Sequence, residues 1–159
     1  MMKQRISGDM TAGIPMLRRL GLEDADYIFD LCKLTMRSYV EQVWGAWNEA
    51  GVRAHLAEKA RAGAFYGLHL GDVRVGAVAF ERHDSHYQLE DLYVEPASQG
   101  QGIGTFVVQQ IIDLARKEAL PVRLRVLASN PARHLYERLG FKVVQQTPER
   151  YFLERREGA

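Results

Sequence analysis

The sequence predicts a mixed α/β fold, from two kinds of hydrophobic periodicity and their order along the chain. Residues 65–94 contain three short strand-like runs separated by Gly-Asp and His-Asp-Ser turns, a pattern typical of antiparallel strands. Segments before and after them repeat apolar residues every three or four positions, as amphipathic helices do. The chain of 159 residues is long enough for one such domain with its own hydrophobic core.

A short strand and two helices come first. Residues 16–20 favour a strand, and Glu23 and Asp24 then place negative charge where a helix begins. The apolar face of this helix is formed by Tyr27, Ile28, Leu31, Cys32 and Leu34. A second helix is expected over residues 52–62, ending near Gly63.

The remaining elements are a three-stranded meander, a helix, a strand, a second helix and a hairpin. Gly71-Asp72 suits a type II′ turn between the first two strands of the meander. Asn130 followed by proline is a favourable start for the last helix, and Gly140 suits the residue after its end. These elements are expected over residues 65–70, 73–82, 86–94, 102–118, 122–126, 130–140, 142–147 and 150–154.

Residues 14–159 are expected to form a single domain behind an N-terminal extension, residues 1–13. This extension lacks the apolar run of a signal peptide, and no segment approaches the roughly 18 apolar residues of a membrane span. Cys32 is the only cysteine, so an intrachain disulfide is excluded and a reducing compartment is favoured. The formal charge of +1 argues against a nucleic-acid partner. The single cysteine and the lack of a signal peptide or apolar span predict a cytoplasmic protein without a membrane partner.

A glycine-rich turn, Gln-Gly-Gln-Gly-Ile-Gly at residues 99–104, joins the meander to the next helix. Backbone N–H groups in such a turn, together with the positive end of a helix, can bind a diphosphate. A dinucleotide fingerprint needs glycine where Thr105 stands, and a P-loop needs Gly-Lys followed by Ser or Thr, so neither pattern fits. The glycines alone also allow a turn without a ligand.

Two motifs make the interpretation more specific. The first is Leu-Tyr-Val-Glu-Pro at residues 92–96, followed by Gln99, Gly102 and Gly104. The second is Asn-Pro-Ala-Arg-x-Leu-Tyr-x-x-Leu-Gly-Phe at residues 130–141. In this order they resemble the two signatures of the GNAT superfamily of N-acetyltransferases, and the likeness extends over residues 16–154. Gln99 stands where many members have arginine, so one phosphate contact of the family is neutral here.

The resemblance implies the GNAT-like acyl-CoA N-acyltransferase fold, a mostly antiparallel sheet splayed between strands 4 and 5 and flanked by helices. It also implies acetyl-CoA as cosubstrate, with the pantetheine arm along strand 4 and the pyrophosphate on the glycine turn. The residues expected to bind it are Leu92, Tyr93, Val94, Gln99, Gly100, Gln101, Gly102, Ile103, Gly104, Thr105, Asn130 and Arg133. For Arg133, a solvated position on its helix is an equal alternative.

The implied reaction transfers an acetyl group to a primary amine of a small molecule or peptide, by direct attack in a ternary complex. An alkylammonium has a pKa of about 10.4 and must lose a proton before it attacks. By resemblance, Tyr136 is the expected acid and Glu90 the expected base, acting through water. Asp91 remains a rival, because a bulge would change which side chains share a face. The Val94 N–H is expected to stabilise the oxyanion.

The acceptor is expected between the first two helices, where aromatic side chains beside a carboxylate can hold a cationic amine. The candidate residues there and in the final hairpin are Arg37, Tyr39, Glu41, Trp44 and Tyr151. Each is also compatible with plain packing.

No metal site is predicted, because His83, Asp84 and His86 lack a supporting cysteine or third ligand. The main alternative to an enzyme is a non-catalytic CoA-binding sensor or interaction module of the same fold. A purely structural domain is the third class. Dimers are frequent in the superfamily, so a homodimer is allowed by analogy alone.

Overall fold

The computed structural model describes residues 15–158; the expected N-terminal extension, residues 1–13, lies outside this range. The element order is the predicted β-α-α-β-β-β-α-β-α-β-β, with short 3-10 turns at Leu22–Asp24 and Pro96–Ser98. The strands are β1 (Met16–Arg19), β2 (Phe65–Leu70), β3 (Val73–Arg82), β4 (Tyr87–Val94), β5 (Val122–Leu127), β6 (Lys142–Gln146) and β7 (Arg150–Arg155). The helices are α1 (Ala25–Trp44), α2 (Glu49–Arg61), α3 (Ile103–Lys117) and α4 (Ala132–Arg138).

The seven strands form one mixed sheet in the order β1-β2-β3-β4-β5-β7-β6. Within residues 15–158, only β4 and β5 run parallel, and they pair over three positions, the last being Leu89 with Leu124. Beyond that point the two strands diverge while β4 stays paired to β3 and β5 to β7. This divergence confirms the predicted splay and opens one end of the sheet.

A bulge in β4 lies at the point of divergence. Ala79 pairs with Asp91 and Phe80 with Leu89, so Glu90 is the extra residue. A bulge breaks the alternation of side chains, and the carboxylates of Glu90 and Asp91 consequently reach the same ammonium group, that of Lys59.

Helices cover both faces of the sheet. On one face, α3 and α4 pack on a core that includes Val107, Ile111, Leu124 and Leu153. On the other, α1 and α2 enclose a second core, formed by Leu20, Ile28, Phe29, Leu31, Cys32, Leu56, Ala60, Phe65, Ala77, Ala79 and Tyr93. Cys32 is buried there as a small apolar residue, as expected. None of the helices within residues 15–158 is long and apolar enough to cross a membrane.

The first helix is longer than the sequence indicated. It continues to Trp44 and ends at Gly45, whose φ of +80° lies in the left-handed region that glycine adopts readily. The second helix begins three residues earlier than expected, because the Asn48 side chain accepts a hydrogen bond from the Gly51 N–H at 3.0 Å. The predicted acceptor residues 37–44 therefore lie within α1 rather than between two helices.

Candidate active site

A cleft of about 510 Å³ opens where β4 and β5 diverge, between α1 on one side and α3 and α4 on the other. Ten of the twelve residues predicted to bind the cosubstrate line it, all except Gln101 and Arg133. Tyr39 and Tyr136 line it as well. The two signature motifs, separated by a helix and a strand in the sequence, thus meet at one site.

The strand β4 presents backbone groups to this cleft. The Glu95 N–H donates to the Val75 carbonyl on β3 at 2.8 Å. Backbone groups alternate in direction along an antiparallel strand, so those of Leu92 and Val94 point away from β3 towards the splay. Pairing to β5 has already ended at Leu89. The Val94 carbonyl accepts instead from the Gln99 side chain, Nε2 to O 2.9 Å.

The glycine turn brings the start of α3 to the cleft. Gly100 and Gly102 have φ values of +77° and +82°, which strongly favour glycine. Gly102 is the N-cap residue, and no side chain caps the helix. The N–H groups of the first turn of α3 have no intrahelical acceptor. Together with the helix dipole, they make this corner of the cleft suited to an anion.

Gly104 has a different role in the same turn. Its φ is not positive, and a Cβ added there would lie 3.7 Å from Leu135 Cδ2, an ordinary contact. Neither backbone strain nor crowding within the chain requires glycine at this position. Because Gly104 lines the cleft, its missing side chain leaves space for a bound molecule to approach the helix backbone.

Tyr136 lies on α4 and is 8% exposed. Its ring packs edge-on against Phe141, with the ring centroids 5.8 Å apart. Burial, and then the negative charge of Asp91, raise the pKa of Tyr136 to about 12. The phenol is therefore protonated at neutral pH and is able to donate a proton or a hydrogen bond into the cleft.

Asn130 fixes the start of α4, which carries Tyr136. Its Oδ1 accepts from the Ala132 N–H at 2.9 Å, which orders the turn that leads into the helix. The N-cap residue is Pro131, one position later than the sequence predicted. Its amide nitrogen lies 3.9 Å from the Met36 sulfur, and the neighbouring Ser129 hydroxyl donates to the Tyr39 carbonyl at 2.8 Å. These contacts join α1 to the opposite side of the cleft.

The two carboxylates of the bulge share Lys59, which α2 supplies. Lys59 Nζ lies 2.8 Å from Glu90 Oε1 and also contacts Asp91 Oδ2, while the Tyr93 hydroxyl donates to Asp91 Oδ1 at 2.9 Å. Burial alone would raise the pKa of Glu90, but Lys59, followed by Arg125 and His83, holds it below its ordinary value. Neither carboxylate lines the cleft itself.

The predicted acceptor residues are less closely assembled. Arg37 and Glu41 form an exposed ion pair one turn apart on α1, at 3.0 Å. Trp44 is 50% exposed, and the Arg150 guanidinium lies 5.5 Å from the centre of its ring. Tyr151 packs towards the core beneath α3 and α4, where the guanidinium of Arg133 stacks on its ring at 4.4 Å. Arg133 is thus engaged with Tyr151 and does not line the cleft.

Several residues that line the cleft were not singled out from the sequence. They are Thr35, Met36, Ser98, Pro131, Ala132, Leu135 and Arg138. A signal for Met36 was present, since the apolar stripe of α1 continues from Ile28 to Met36 and Tyr39 at helical spacing.

The histidine pair of the β3–β4 turn forms no cluster of metal ligands. The rings of His83 and His86 stack with their centroids 4.8 Å apart, and His83 Nε2 lies 3.0 Å from Glu81 Oε1. Across residues 15–158, no three His, Cys, Asp or Glu side chains converge on one point.

A sheet that splays at a bulge, with a glycine turn and a buried tyrosine in the opening, has the architecture of an acyl-CoA-dependent acyltransferase. The model of the Acetyltransferase (GNAT) family matches residues 28–141, which is most of the chain. The protein therefore belongs to the GNAT family of acetyltransferases. No curated protein matches the sequence.

Solved structures share the fold across nearly their whole length. The PaiA N-acetyltransferase from Thermoplasma acidophilum, solved with coenzyme A, has a TM-score of 0.69 and 18% identity, covering 89% of this chain and 98% of that one. An acetyltransferase from Thermus thermophilus has a TM-score of 0.71 and 18% identity, with coverages of 90% and 97%. PH1933 from Pyrococcus horikoshii OT3 has a TM-score of 0.70 and 22% identity, with coverages of 90% and 96%.

Proposed function

We propose that the protein is an acetyl-CoA-dependent N-acetyltransferase that acetylates a primary amine of a small molecule or peptide. The observation that carries the proposal is the meeting of three features in one cleft. These are the free backbone edge of β4, the uncapped start of α3 and the buried hydroxyl of Tyr136. The structural neighbour from Thermoplasma acidophilum was solved with coenzyme A, which supports the same ligand here.

The cleft offers groups that match the parts of acetyl-CoA. Amides of a pantetheine arm can pair with the backbone groups of Leu92 and Val94, as an added strand would. The pyrophosphate fits the N–H groups at the start of α3, which Gly100 and Gly102 shape. For the arm to use the Val94 carbonyl, the Gln99 side chain must release its hydrogen bond.

In the proposed reaction, the neutral amine nitrogen forms a bond to the thioester carbon while the carbonyl oxygen gains negative charge. The Val94 N–H faces the splay, which supports the proposal that it donates to that oxygen. The carbon–sulfur bond then breaks, and the thiolate takes a proton from Tyr136, whose raised pKa keeps it protonated beforehand. The phenolate regains a proton from solvent.

Glu90 is favoured over Asp91 as the group that takes the amine proton. Both oxygens of Asp91 are engaged, one by Lys59 and one by Tyr93. Glu90 uses Oε1 for Lys59, and among residues 15–158 its Oε2 has no hydrogen-bond partner. Because Glu90 lies outside the cleft, we propose that it acts through a water molecule.

The test is amine-dependent release of free thiol from acetyl-CoA, followed with a thiol reagent across a panel of amines. The proposal expects release that depends on both acetyl-CoA and an amine. Binding of acetyl-CoA without release from any amine would instead support the non-catalytic CoA-binding module. Absence of both binding and release would favour a purely structural domain.

A further inference from the structure

Two opposite charges stand on the two sides of the splay. Leu89 and Leu124 form the last pair between β4 and β5, so Glu90 and Arg125 are the next residues on either side of the opening. Leu124 and Val126 pack into the core beneath α3 and α4, so Arg125 points to the opposite face, where Glu90 reaches Lys59. Both Glu90 and Arg125 are exposed.

Glu90 and Arg125 do not pair with each other. Glu90 is held by Lys59 at 2.8 Å, and the ion pairs formed within residues 15–158 include none with Arg125. Arg123, on the same strand and face, is by contrast paired with Glu154 at 2.9 Å. Arg125 therefore presents a solvated guanidinium beside a carboxylate that has one oxygen to spare.

A second guanidinium lies close to Arg125. Arg125 pairs with Phe152 and Leu127 pairs with Arg150, which makes Arg125 and Arg150 diagonal neighbours on one face of the sheet. No ion pair to Arg150 is found within the described part of the chain, and its guanidinium lies over the half-exposed ring of Trp44. Phe152 is half-buried on the same face.

We propose that the acceptor is a small amine that also carries a carboxylate, an amino-acid-like zwitterion with an apolar or aromatic side chain. This rests on the proposed N-acetyltransferase function and adds the class of acceptor. Glu90 receives the ammonium group through the water molecule proposed above, Arg125 and Arg150 receive the carboxylate, and Trp44 and Phe152 contact the apolar part. Guanidinium groups suit this role because their N–H donors match the two oxygens of a carboxylate.

The same arrangement disfavours a polyamine acceptor. A second ammonium group placed beyond Glu90 would lie near the guanidinium groups of Arg125 and Arg150. Like charges that lie close together repel each other. Lys59 adds to this effect, because it already neutralises one of the two carboxylates of the bulge. The acceptor therefore faces one carboxylate, Glu90, and two guanidinium groups, Arg125 and Arg150. This combination suits a molecule that carries both an ammonium and a carboxylate group.

The test compares paired acceptors that differ by a carboxylate: L-phenylalanine with 2-phenylethylamine, L-tyrosine with tyramine, and L-lysine with 1,5-diaminopentane. The measured quantity is kcat/KM from thiol release. We expect wild-type protein to prefer the carboxylated member of a pair by about 10- to 100-fold, the range for a hydrogen bond to a charged group. Arg125→Gln is expected to remove most of that preference by lowering kcat/KM for the carboxylated member only.

Two further variants serve as controls. Arg123→Gln removes a guanidinium from the same strand and face, but one that Glu154 already holds, and it should leave the preference unchanged. Arg125→Lys keeps the charge without the planar pair of donors and should retain part of the preference.

The outcomes separate this inference from the proposed function. Thiol release that favours 2-phenylethylamine or 1,5-diaminopentane, with Arg125→Gln behaving like Arg123→Gln, would overturn the zwitterion acceptor and leave the N-acetyltransferase in place. Release with none of the six amines, although acetyl-CoA raises the melting temperature, would count against the enzymatic function and the acceptor class together.

Discussion

The proposed donor side, which lines the cleft, and the proposed acceptor side, which lies beside the cleft at the splay, are built from different parts of the polypeptide. On the donor side, backbone groups of Leu92 and Val94 and the first turn of α3 offer the binding atoms, shaped by glycines. On the acceptor side, charged side chains from three elements do so: Lys59 from α2, Glu90 from β4 and Arg125 from β5. A backbone site suits a ligand common to a whole family, whereas side chains can change from one member to another.

The largest effect expected from a single change concerns Tyr136, which lines the cleft. Tyr136→Phe removes the proposed acid and should lower kcat by about 10²- to 10⁴-fold, the usual contribution of general acid catalysis. Affinity for acetyl-CoA should change little, because the proposed role of the hydroxyl is to protonate the leaving sulfur. Thiol-release kinetics and titration calorimetry measure the two quantities.

Tyr151→Phe is the matched control for that prediction. Tyr151 also packs beside α4, but its ring stacks under Arg133 and does not line the cleft. An equal loss of kcat in both variants would show that the Tyr136 hydroxyl has no special role.

On the donor side, the stability of the free protein should depend on the positive φ of Gly102 and not on the missing side chain of Gly104. Gly102→Ala forces alanine to a φ of +82° and should cost about 1–2 kcal/mol of stability, with weaker binding of acetyl-CoA. Gly104→Ala adds a Cβ in ordinary contact with Leu135 and should stabilise α3 slightly in the absence of ligand. Melting temperatures with and without acetyl-CoA distinguish the two.

The two glycine variants also test how closely the ligand approaches the helix. If Gly104 leaves room for it, Gly104→Ala will reduce the shift in melting temperature produced by acetyl-CoA although the free protein is not weakened. If acetyl-CoA raises the melting temperature of both variants as much as that of wild type, the glycine turn is not part of the binding site.

On the acceptor side, Lys59 is expected to set the pH dependence of the reaction. Lys59 keeps the pKa of Glu90 low, so Glu90 stays ionised as the pH falls. In Lys59→Met the pKa of Glu90 rises, and the acidic limb of the kcat/KM profile should move to higher pH. Lys117→Met, on the exposed end of α3, is the control. Superimposable profiles for Lys59→Met and wild type would contradict the coupling.

The ion pair between Lys59 and Glu90 also makes the stability of the folded protein depend on pH. A carboxyl group whose pKa is lowered by folding stabilises the folded state above its unfolded pKa, and this contribution is lost as the pH falls through the folded value. Lys59, whose pKa is raised overall by Asp91 and Glu90 despite its burial, contributes below its unfolded pKa and loses the contribution at strongly alkaline pH. The free energy of unfolding of wild type should therefore exceed that of Lys59→Met by less and less as the pH decreases. Chemical unfolding at a series of acidic pH values measures this difference.

The smallest effect is expected for Gln99. Gln99→Arg replaces a neutral side chain that holds the Val94 carbonyl with a cation near the proposed pyrophosphate site. An exposed charge pair of this kind should improve the affinity for acetyl-CoA by about two- to fivefold. Titration calorimetry at two salt concentrations checks it, because the gain should shrink as ionic strength rises. Unchanged or weaker binding would show that Gln99 does not face the phosphates.

The sequence predicted the glycine turn and the limits of α4 well because their signals are local. The turn at residues 99–104, the start of α4 within one residue of Asn130 and its end at Gly140 depend on neighbours a few positions away, and the structure reproduces them. Glycine and capping residues report backbone conformation directly. The order of strands and helices followed from periodicity for the same reason.

The acceptor side depended on contacts that periodicity does not encode. Lys59 meets Glu90 and Asp91 across 31 and 32 positions of sequence, and only the bulge brings both carboxylates to it. The helix α1 is longer than expected and includes residues 37–44. Tyr151 packs against the core beneath α3 and α4, on the opposite face of the sheet from α1. Tertiary packing decides on which face of the sheet each side chain of a bulged strand lies. It also decides where a helix that packs on the sheet ends.

The central claim, that the cleft is an acetyl-CoA site, is tested most directly by thermal unfolding with acetyl-CoA, NAD or ATP. A ligand at 100 times its Kd that binds only the folded state stabilises it by about 2.7 kcal/mol. An acetyl-CoA site in the cleft should give a rise in melting temperature with acetyl-CoA that is smaller for Gly102→Ala, and no comparable rise with NAD or ATP. No rise at millimolar acetyl-CoA, or equal rises with all three ligands, would contradict it.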